Sequence, residues 1–337
     1  SRSEGYEKSL ERLRVDVADG WCLAVFPEGT RSLNGKIKRF HKGAFYLASQ
    51  VGVPVIPVVF YGNWRIAPKN QGFNMTEGIA VTEILPPVQS AGVEYHELTS
   101  SISALVKSEY AVLCSKYDSP VNPYFRKALV SSYIYKGPVT EWYVKVKTKM
   151  EDSYSFFHSV LPREGRITDI GCGMGQMDFM LSMYCPERRI IGIDYDADKI
   201  AVAQNSWLLK NLPDLEFRCG NASECELPES NAFVISDMLH YLDAEAQAAL
   251  IRRCAEKLLS GGMILVRDSD SENAKGQKVT ALSEVFSTRI LAFNRTQGEL
   301  NFISHSRMET IASTVGLKMT VRSNDAVTSN TFYILKF

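Results

Sequence analysis

The segment Asp169–Gly175 reads D-I-G-C-G-M-G. Glycines at alternate positions, Gly171, Gly173 and Gly175, permit a tight turn and let a ligand come close to the backbone. A helix opening behind them would offer unpaired N–H groups. The spacing is G-x-G-x-G; a dinucleotide fingerprint needs glycine where Gln176 stands, which argues against nicotinamide chemistry. Asp194 closes the run RIIGID, 19 residues after Gly175. An acid at such a strand tip can take two ribose hydroxyls. Two further apolar runs end in Gly220-Asn221-Ala222 and in Ser236-Asp237. His240 follows in DMLHYLD. Its imidazole can take a proton from a phenol, an amine or an acidic carbon; it can equally pack or cap at a strand end. Tyr241 and His305 are weaker candidates for a base.

The elements that must position these residues follow from the pattern around them. RITDI, RIIGID, LEFRCG, AFVISD and MILVRD are short β-rich runs separated by helical stretches. That alternation predicts an α/β domain with a parallel sheet, ligands lying at the carboxyl edge. A helix over Ser306–Val315 and the runs LKMTVRS and TFYILKF predict an antiparallel closing pair. Residues 124–160 are helical and rich in aromatics, and predict a lid from which Tyr135 and Tyr143 reach cofactor or acceptor; such a stripe is more often core. Upstream, Cys22–Phe26 (CLAVF) reads as a short buried strand. His41–Gly52 reads as a helix with Ala44, Leu47 and Ala48 on one face, VPVIPVVFYG as an edge strand, and Tyr95–Tyr117 as a long helix. Two prolines within Asp118–Pro123 suggest a boundary. The expected division is 1–118, then a helical linker and lid over 119–160, then a core over 161–337.

From about residue 120 to 337 the chain resembles the class I S-adenosylmethionine-dependent methyltransferases. TDIGCGMG, IIGIDYD, CGNAS, ISDMLHYLD and GGMILVRD carry the resemblance through their order and spacing. It implies a Rossmann-like fold with a mostly parallel seven-stranded sheet and an antiparallel closing strand, and S-adenosylmethionine as cofactor. It also implies roles. Asp169 and the turn Gly171, Cys172, Gly173 and Gly175 would face the methionine end. Asp194 would bind the ribose hydroxyls, with Tyr195 beside the adenine. Asn221, where such families often have Asp, would line the adenine end with Ala222. Asp237 and Met238 would floor the sulfonium. A fold that binds cofactor without catalysis is the rival reading.

Residues 10–116 resemble the C-terminal half of the glycerol-phosphate and lysophosphatidate acyltransferases, through FPEGTRS, KGAFYLA and VPVIPVVFYG. By that resemblance Glu28, Gly29, Thr30 and Arg31 would border an acceptor pocket in a partial α/β domain. The family's catalytic element is a His with Asp five positions later. Five positions after His41, His96, His158, His240 and His305 stand Tyr46, Ser101, Arg163, Glu245 and Thr310. This piece is therefore expected to be inactive in acyl transfer. The absence of an initiator Met suggests a piece of a longer chain, and a bifunctional acyltransferase and methyltransferase parent is the alternative reading.

The chain has 337 residues, 38 Lys+Arg and 38 Asp+Glu. Zero net charge argues against a nucleic-acid partner. Basic residues nonetheless cluster: Arg31, Lys36, Lys38, Arg39 and Lys42 lie in one acid-free run. Such a run suits a solvated face, phosphates or an anionic membrane surface. The seven cysteines lack a C-x-x-C pair, so no disulfide framework or metal site is expected. With no membrane span and no signal-peptide core, a cytoplasmic protein, peripheral to a membrane through the basic run, is expected, with a small-molecule or lipid-linked acceptor.

Overall fold

The computed structural model describes residues 2–69, 75–150, 153–269, 300–323 and 330–337. The chain divides into two compact units, Ser1–Lys127 and Ala128–Phe337.

The first unit contains α1 (Arg2–Ala18), α2 (Gly43–Val51), β1 (Val58–Tyr61), α3 (Asn63–Ile66), β2 (Val81–Ile84) and α4 (Tyr95–Tyr117). The helix α5 (Pro123–Ser131) begins in this unit and ends in the next. Gly52 stops α2 in the left-handed region, φ 77°, its N–H on Ala48 O. The buried residues of α2 are Phe45 and Ala48; Ala44 and Leu47 are half-buried. β1 pairs antiparallel with β2, turning Val59 and Tyr61 into a core with Leu98, Ile102 and Val106 of α4. Cys22–Phe26 is not the expected buried strand. It joins no ladder among the described residues, and Leu23 and Phe26 are 58% and 73% exposed. An apolar run buried on both faces needs strands on either side; here Phe26 stacks against Phe60, ring centroids 6.2 Å apart, and no strand flanks the run among the described residues.

Tyr61 also reaches into a polar cluster. Its hydroxyl donates to Asp118 Oδ1 at 2.5 Å, Arg65 Nη1 donates to the same oxygen at 2.6 Å, and Asn122 Nδ2 donates to Tyr61 Oη at 3.3 Å. Burial and the neighbouring Asp118 push the Tyr61 phenol far up. Truncating one member of a buried ion pair strands the other charge. Asp118→Ala should destabilise this unit by about 3 kcal/mol or more, and Asp118→Asn by less, in urea unfolding.

The second unit is built on one sheet: β3 (Gly165–Ile170), β4 (Arg188–Asp194), β5 (Leu215–Cys219), β6 (Ser230–Ser236), β7 (Leu258–Ser269), β8 (Lys318–Ser323) and β9 (Asn330–Lys336). Its order is β5-β4-β3-β6-β7-β9-β8. The first five strands are parallel, and β9 runs antiparallel to both β7 and β8. This is the expected α/β fold, with the closing strands antiparallel. Its helices are α6 (Pro138–Met150), α7 (Ser153–Val160), α8 (Gln176–Tyr184), α9 (Ala197–Gln204), α10 (Ala244–Glu256) and α11 (His305–Thr314). Strand order reverses at β3, with β4 on one side and β6 on the other. At such a switch point the strand tips diverge and open a crevice. Ile170, Ile193, Phe233, Ile235, Ile264, Val266 and Leu335 form the core beneath it.

Arg188 is fully buried at the start of β4. It donates through Nε to Pro162 O, through Nη1 to Leu181 O and His158 Nδ1, and through Nη2 to the His158 and Leu161 carbonyls. Burial and then the guanidinium hold His158 down at about 4. Its folded value lies below the unfolded one, so this stability is present above about pH 6.5 and lost as pH falls through about 4. Unfolding free energy should therefore decline between these values, and His158→Gln should flatten that decline in denaturant titrations run at each pH.

Candidate cofactor and acceptor site

The glycine turn links β3 to α8. Gly171, Gly173 and Gly175 all have positive φ (84°, 58° and 76°), so the turn needs residues without a Cβ. Gly171 N and Cys172 N donate to Ile193 O at 2.7 and 3.1 Å, tying the turn to the next strand. A Cβ on Gly171 would lie 2.6 Å from Met238 Cγ, and one on Gly175 2.4 Å from the Phe217 ring. Over Gly173 there is open space for at least 4 Å. Two glycines therefore serve packing, and the middle one faces a void.

Asp194 closes this arrangement. Its Oδ2 accepts from Gly173 N at 2.8 Å and its Oδ1 from Asp196 N at 2.9 Å. Each carboxylate oxygen keeps a second acceptor position for a hydroxyl donor. Tyr195 beside it is exposed. Asn221 lies after β5, its Oδ1 accepting from Ser223 N at 3.0 Å, and Ala222 is buried next to it.

Past β6, Asp237 holds φ 53°, the one positive φ outside glycine among the described residues. Such strain persists where surroundings over-determine it. Here Asp237 N donates to Arg267 O at 2.9 Å, and its carboxylate meets Arg267 Nη1 at 3.2 Å. Arg267 Nη1 also donates to Ser153 Oγ at 3.2 Å, at the start of α7. Met238 covers Gly171.

His240 lies in a short 3-10 turn, Leu239–Tyr241, and is 1% exposed. Asp268, near the end of β7, accepts from His240 N at 3.1 Å and from its ring Nδ1–H at 2.7 Å. That fixes the tautomer and leaves Nε2 as the basic nitrogen. The ring lies against Tyr241 and Phe302, centroids at 4.3 and 5.3 Å. Nothing in the sequence pairs Asp268 with His240, 28 residues away. The signal of Asp268 itself was the last letter of MILVRD, an acid ending the strand beside β6.

The aromatics expected in a lid divide. Tyr135 Oη donates to Val202 O on α9 at 2.6 Å, and Tyr143 lies 5.9 Å from Lys147 Nζ. Tyr133, not singled out from the sequence, is fully buried and donates to Met174 O in the glycine turn at 2.6 Å. His305 opens α11, its ring 6.3 Å from Tyr333. Asp169, at the β3 tip, is raised to about 7, chiefly by burial. Burial, with Asp178 and Asp169 nearby, also pushes the Cys172 thiol far up. Among the described residues no group of three or more His, Cys, Asp or Glu could hold a metal.

In the first unit, Glu28 Oε2 accepts from Lys38 N at 2.8 Å. Gly29 (φ 68°) backs onto the His41 ring. Thr30 Oγ1 accepts from Lys69 Nζ at 2.7 Å, and Arg31 donates to the Ala67 and Lys69 carbonyls at 3.4 and 3.3 Å. These four residues form one loop, and Arg31, Lys36, Lys38 and Arg39 remain exposed. Among the described residues no helix is long and apolar enough to cross a membrane.

Comparison with known proteins fits both parts. The methyltransferase-domain family matches residues 167–262, and the acyltransferase family matches residues 1–61. A 1-acyl-sn-glycerol-3-phosphate acyltransferase of Chlamydomonas reinhardtii is 38% identical over 87 residues, 25% of this chain and 26% of that protein. The alpha enzyme of that name from Mus musculus is 41% identical over 69 residues, 20% of this chain and 24% of its own. The chain thus spans about a quarter of the length of these relatives. Among solved structures, human N-acetylserotonin methyltransferase in complex with S-adenosylmethionine aligns at 16% identity and a TM-score of 0.46, over 59% of this chain and 55% of that one. The fold and the family matches define a class I methyltransferase domain, of the kind that binds S-adenosylmethionine. The chain joins an acyltransferase fragment, over residues 1–61, to that domain.

The packing roles of the turn can be separated by mutation. Gly171→Ala meets both the φ penalty and Met238, whereas Gly173→Ala meets only the former, about 1–2 kcal/mol. Gly171→Ala should be the more destabilising of the two in urea unfolding. Tyr133→Phe should cost about 1–3 kcal/mol, since it leaves the buried Met174 carbonyl without that donor.

Proposed function

We propose that the second unit transfers a methyl group from S-adenosylmethionine to an oxygen, nitrogen or carbon of a small-molecule or lipid-linked acceptor, with His240 as general base. The observation that carries this is the His240–Asp268 pair, held at the same sheet edge as the glycine turn and Asp194. The residues present fit the cofactor. The void over Gly173 gives backbone access, and Asp194 has acceptor positions for the ribose hydroxyls. Asp169 and the turn Gly171–Gly175, with Cys172, would face the methionine end. Tyr195, Asn221 and Ala222 would line the adenine end, and Asp237 and Met238 the floor.

The cofactor supplies an activated methyl on a sulfonium, so the protein need only orient, exclude water and move a proton. His240 Nε2 takes the acceptor proton. The Asp268 carboxylate, already on Nδ1–H, stabilises the imidazolium that forms. The burial of His240 requires the acceptor atom to be delivered into an enclosed, water-poor space, where that pairing is strongest.

The acyltransferase region supports a lipid- or acyl-linked acceptor, because its relatives carry names for acylation of glycerol phosphates. The exposed basic run from Arg31 would meet phosphates or an anionic membrane surface. No His in this chain has an Asp five positions on, so this region is proposed to perform no acyl transfer itself.

Calorimetry with S-adenosylhomocysteine tests the cofactor reading, and no heat at millimolar ligand would sink it. His240→Ala should keep that binding within about threefold. It should lower methyl transfer from labelled cofactor to a panel of phenols, amines and hydroxyacyl esters by about 10²–10⁴-fold. Asp194→Asn should weaken binding at least about tenfold, the equivalent of about 1.4 kcal/mol.

A further inference from the structure

Asp178 lies on α8, three residues after the glycine turn, and is completely buried. A Cβ built on Gly192 would lie 2.7 Å from Asp178 Oδ2 and 2.9 Å from Cys172 Sγ. Gly192 is the β4 residue in register with Asp169 on β3. The missing side chain at Gly192 therefore opens the space in which the Asp178 carboxyl reaches the Asp169 carboxyl. Neither oxygen of Asp178 has a donor, nor does Asp169 Oδ1. Two carboxylates cannot sit together in this way, whereas a carboxylic acid donating to a carboxylate satisfies both.

Resting on the cofactor reading above, we propose that Asp178 is a positioning residue of the cofactor site: it keeps its own proton and donates it to Asp169 beneath the glycine turn, and binding of the ammonium at the cofactor's methionine end expels the second proton, the one Asp169 carries when the site is empty. The groups around the pair set the sign. Asp194 from β4 and Asp237 from beyond β6 disfavour a second negative charge at Asp169, and Lys147 from α6 favours it. Cys172 in the turn and Tyr133 stand beside the pair with their protons retained. An incoming ammonium adds positive charge where acids outnumber the one lysine, and the Asp169 proton leaves to solvent while Asp178 keeps its own. Asp169 then faces the ligand as a carboxylate, with Asp178 fixing its orientation. Without ligand, the second proton, on Asp169, keeps the pair from carrying an uncompensated buried charge.

The test has two readouts that do not depend on turnover. In ligand-free protein at pH 6, isotope-edited infrared spectroscopy should show neutral buried carboxylic acid that falls by about half when S-adenosylhomocysteine binds and is absent when Asp169→Asn and Asp178→Asn are combined. Its absence from the unaltered protein overturns the proposal. Calorimetry with S-adenosylhomocysteine near pH 7, in buffers of different ionisation enthalpy, should show release of about half a proton per ligand. Affinity should rise about tenfold from pH 6 to 8; Asp169→Asn should remove most of both effects, Asp178→Leu, which takes the donor away, should move the rise to higher pH, and Asp178→Asn, whose amide still donates, should restore it. Ligand binding with no proton release and no pH dependence overturns the proposal and leaves the cofactor reading standing. A neutral acid without any ligand binding overturns the cofactor reading and the coupling with it.

Discussion

The contact between Asp194 and the N–H of Gly173 is the constraint on which the second unit's site depends. It fastens the tip of β4 to the turn that leaves β3, so that the ligand-facing backbone and the acid move as one piece. The parallel pairing of β3 and β4 brings the two tips level, and the reversal of strand order at β3 keeps β6 on the far side. Tyr133 clamps the turn from outside through Met174 O. Every other element of the site, from Asn221 to His240, lies along the edge that this contact anchors.

Both units bury charge, and each handles it differently. In the first, Arg65 and Asp118 neutralise one another among aromatic rings. In the second, Arg188 is held by carbonyls and by a His158 kept neutral, so it cements α7 to the start of β4 at the edge away from the ligand side. At the glycine turn three buried acids, Asp169, Asp178 and Asp194, converge. That excess of negative character suits a cationic ligand and disfavours an anionic one, which agrees with a sulfonium cofactor more readily than with a dinucleotide.

Much of this was legible in the chain. The glycine turn, the acid nineteen residues on and the alternation of β-rich runs with helices are local or periodic signals, and they predict a parallel sheet and its ligand edge. The stops of α2 and α4 were equally local. Cys22–Phe26 was not legible, because an apolar run carries its own propensity and no record of whether strands stand beside it. Tyr135 reads as a lid residue, yet its hydroxyl holds the Val202 carbonyl; which face of a helix meets which neighbour is set by packing.

The residue types themselves determined that the second unit would be an α/β domain with a Gly-rich turn, an acid at the next strand tip and a histidine beyond the fourth parallel strand. Those features depend on backbone freedom and side-chain period, both written in consecutive residues. Only the tertiary structure decided that His240 is oriented by Asp268, 28 residues away, and that Asp178 meets Asp169 across Gly192. Pairing of this kind depends on strand register and on a space left by a third residue, and neither is encoded at either partner's own position.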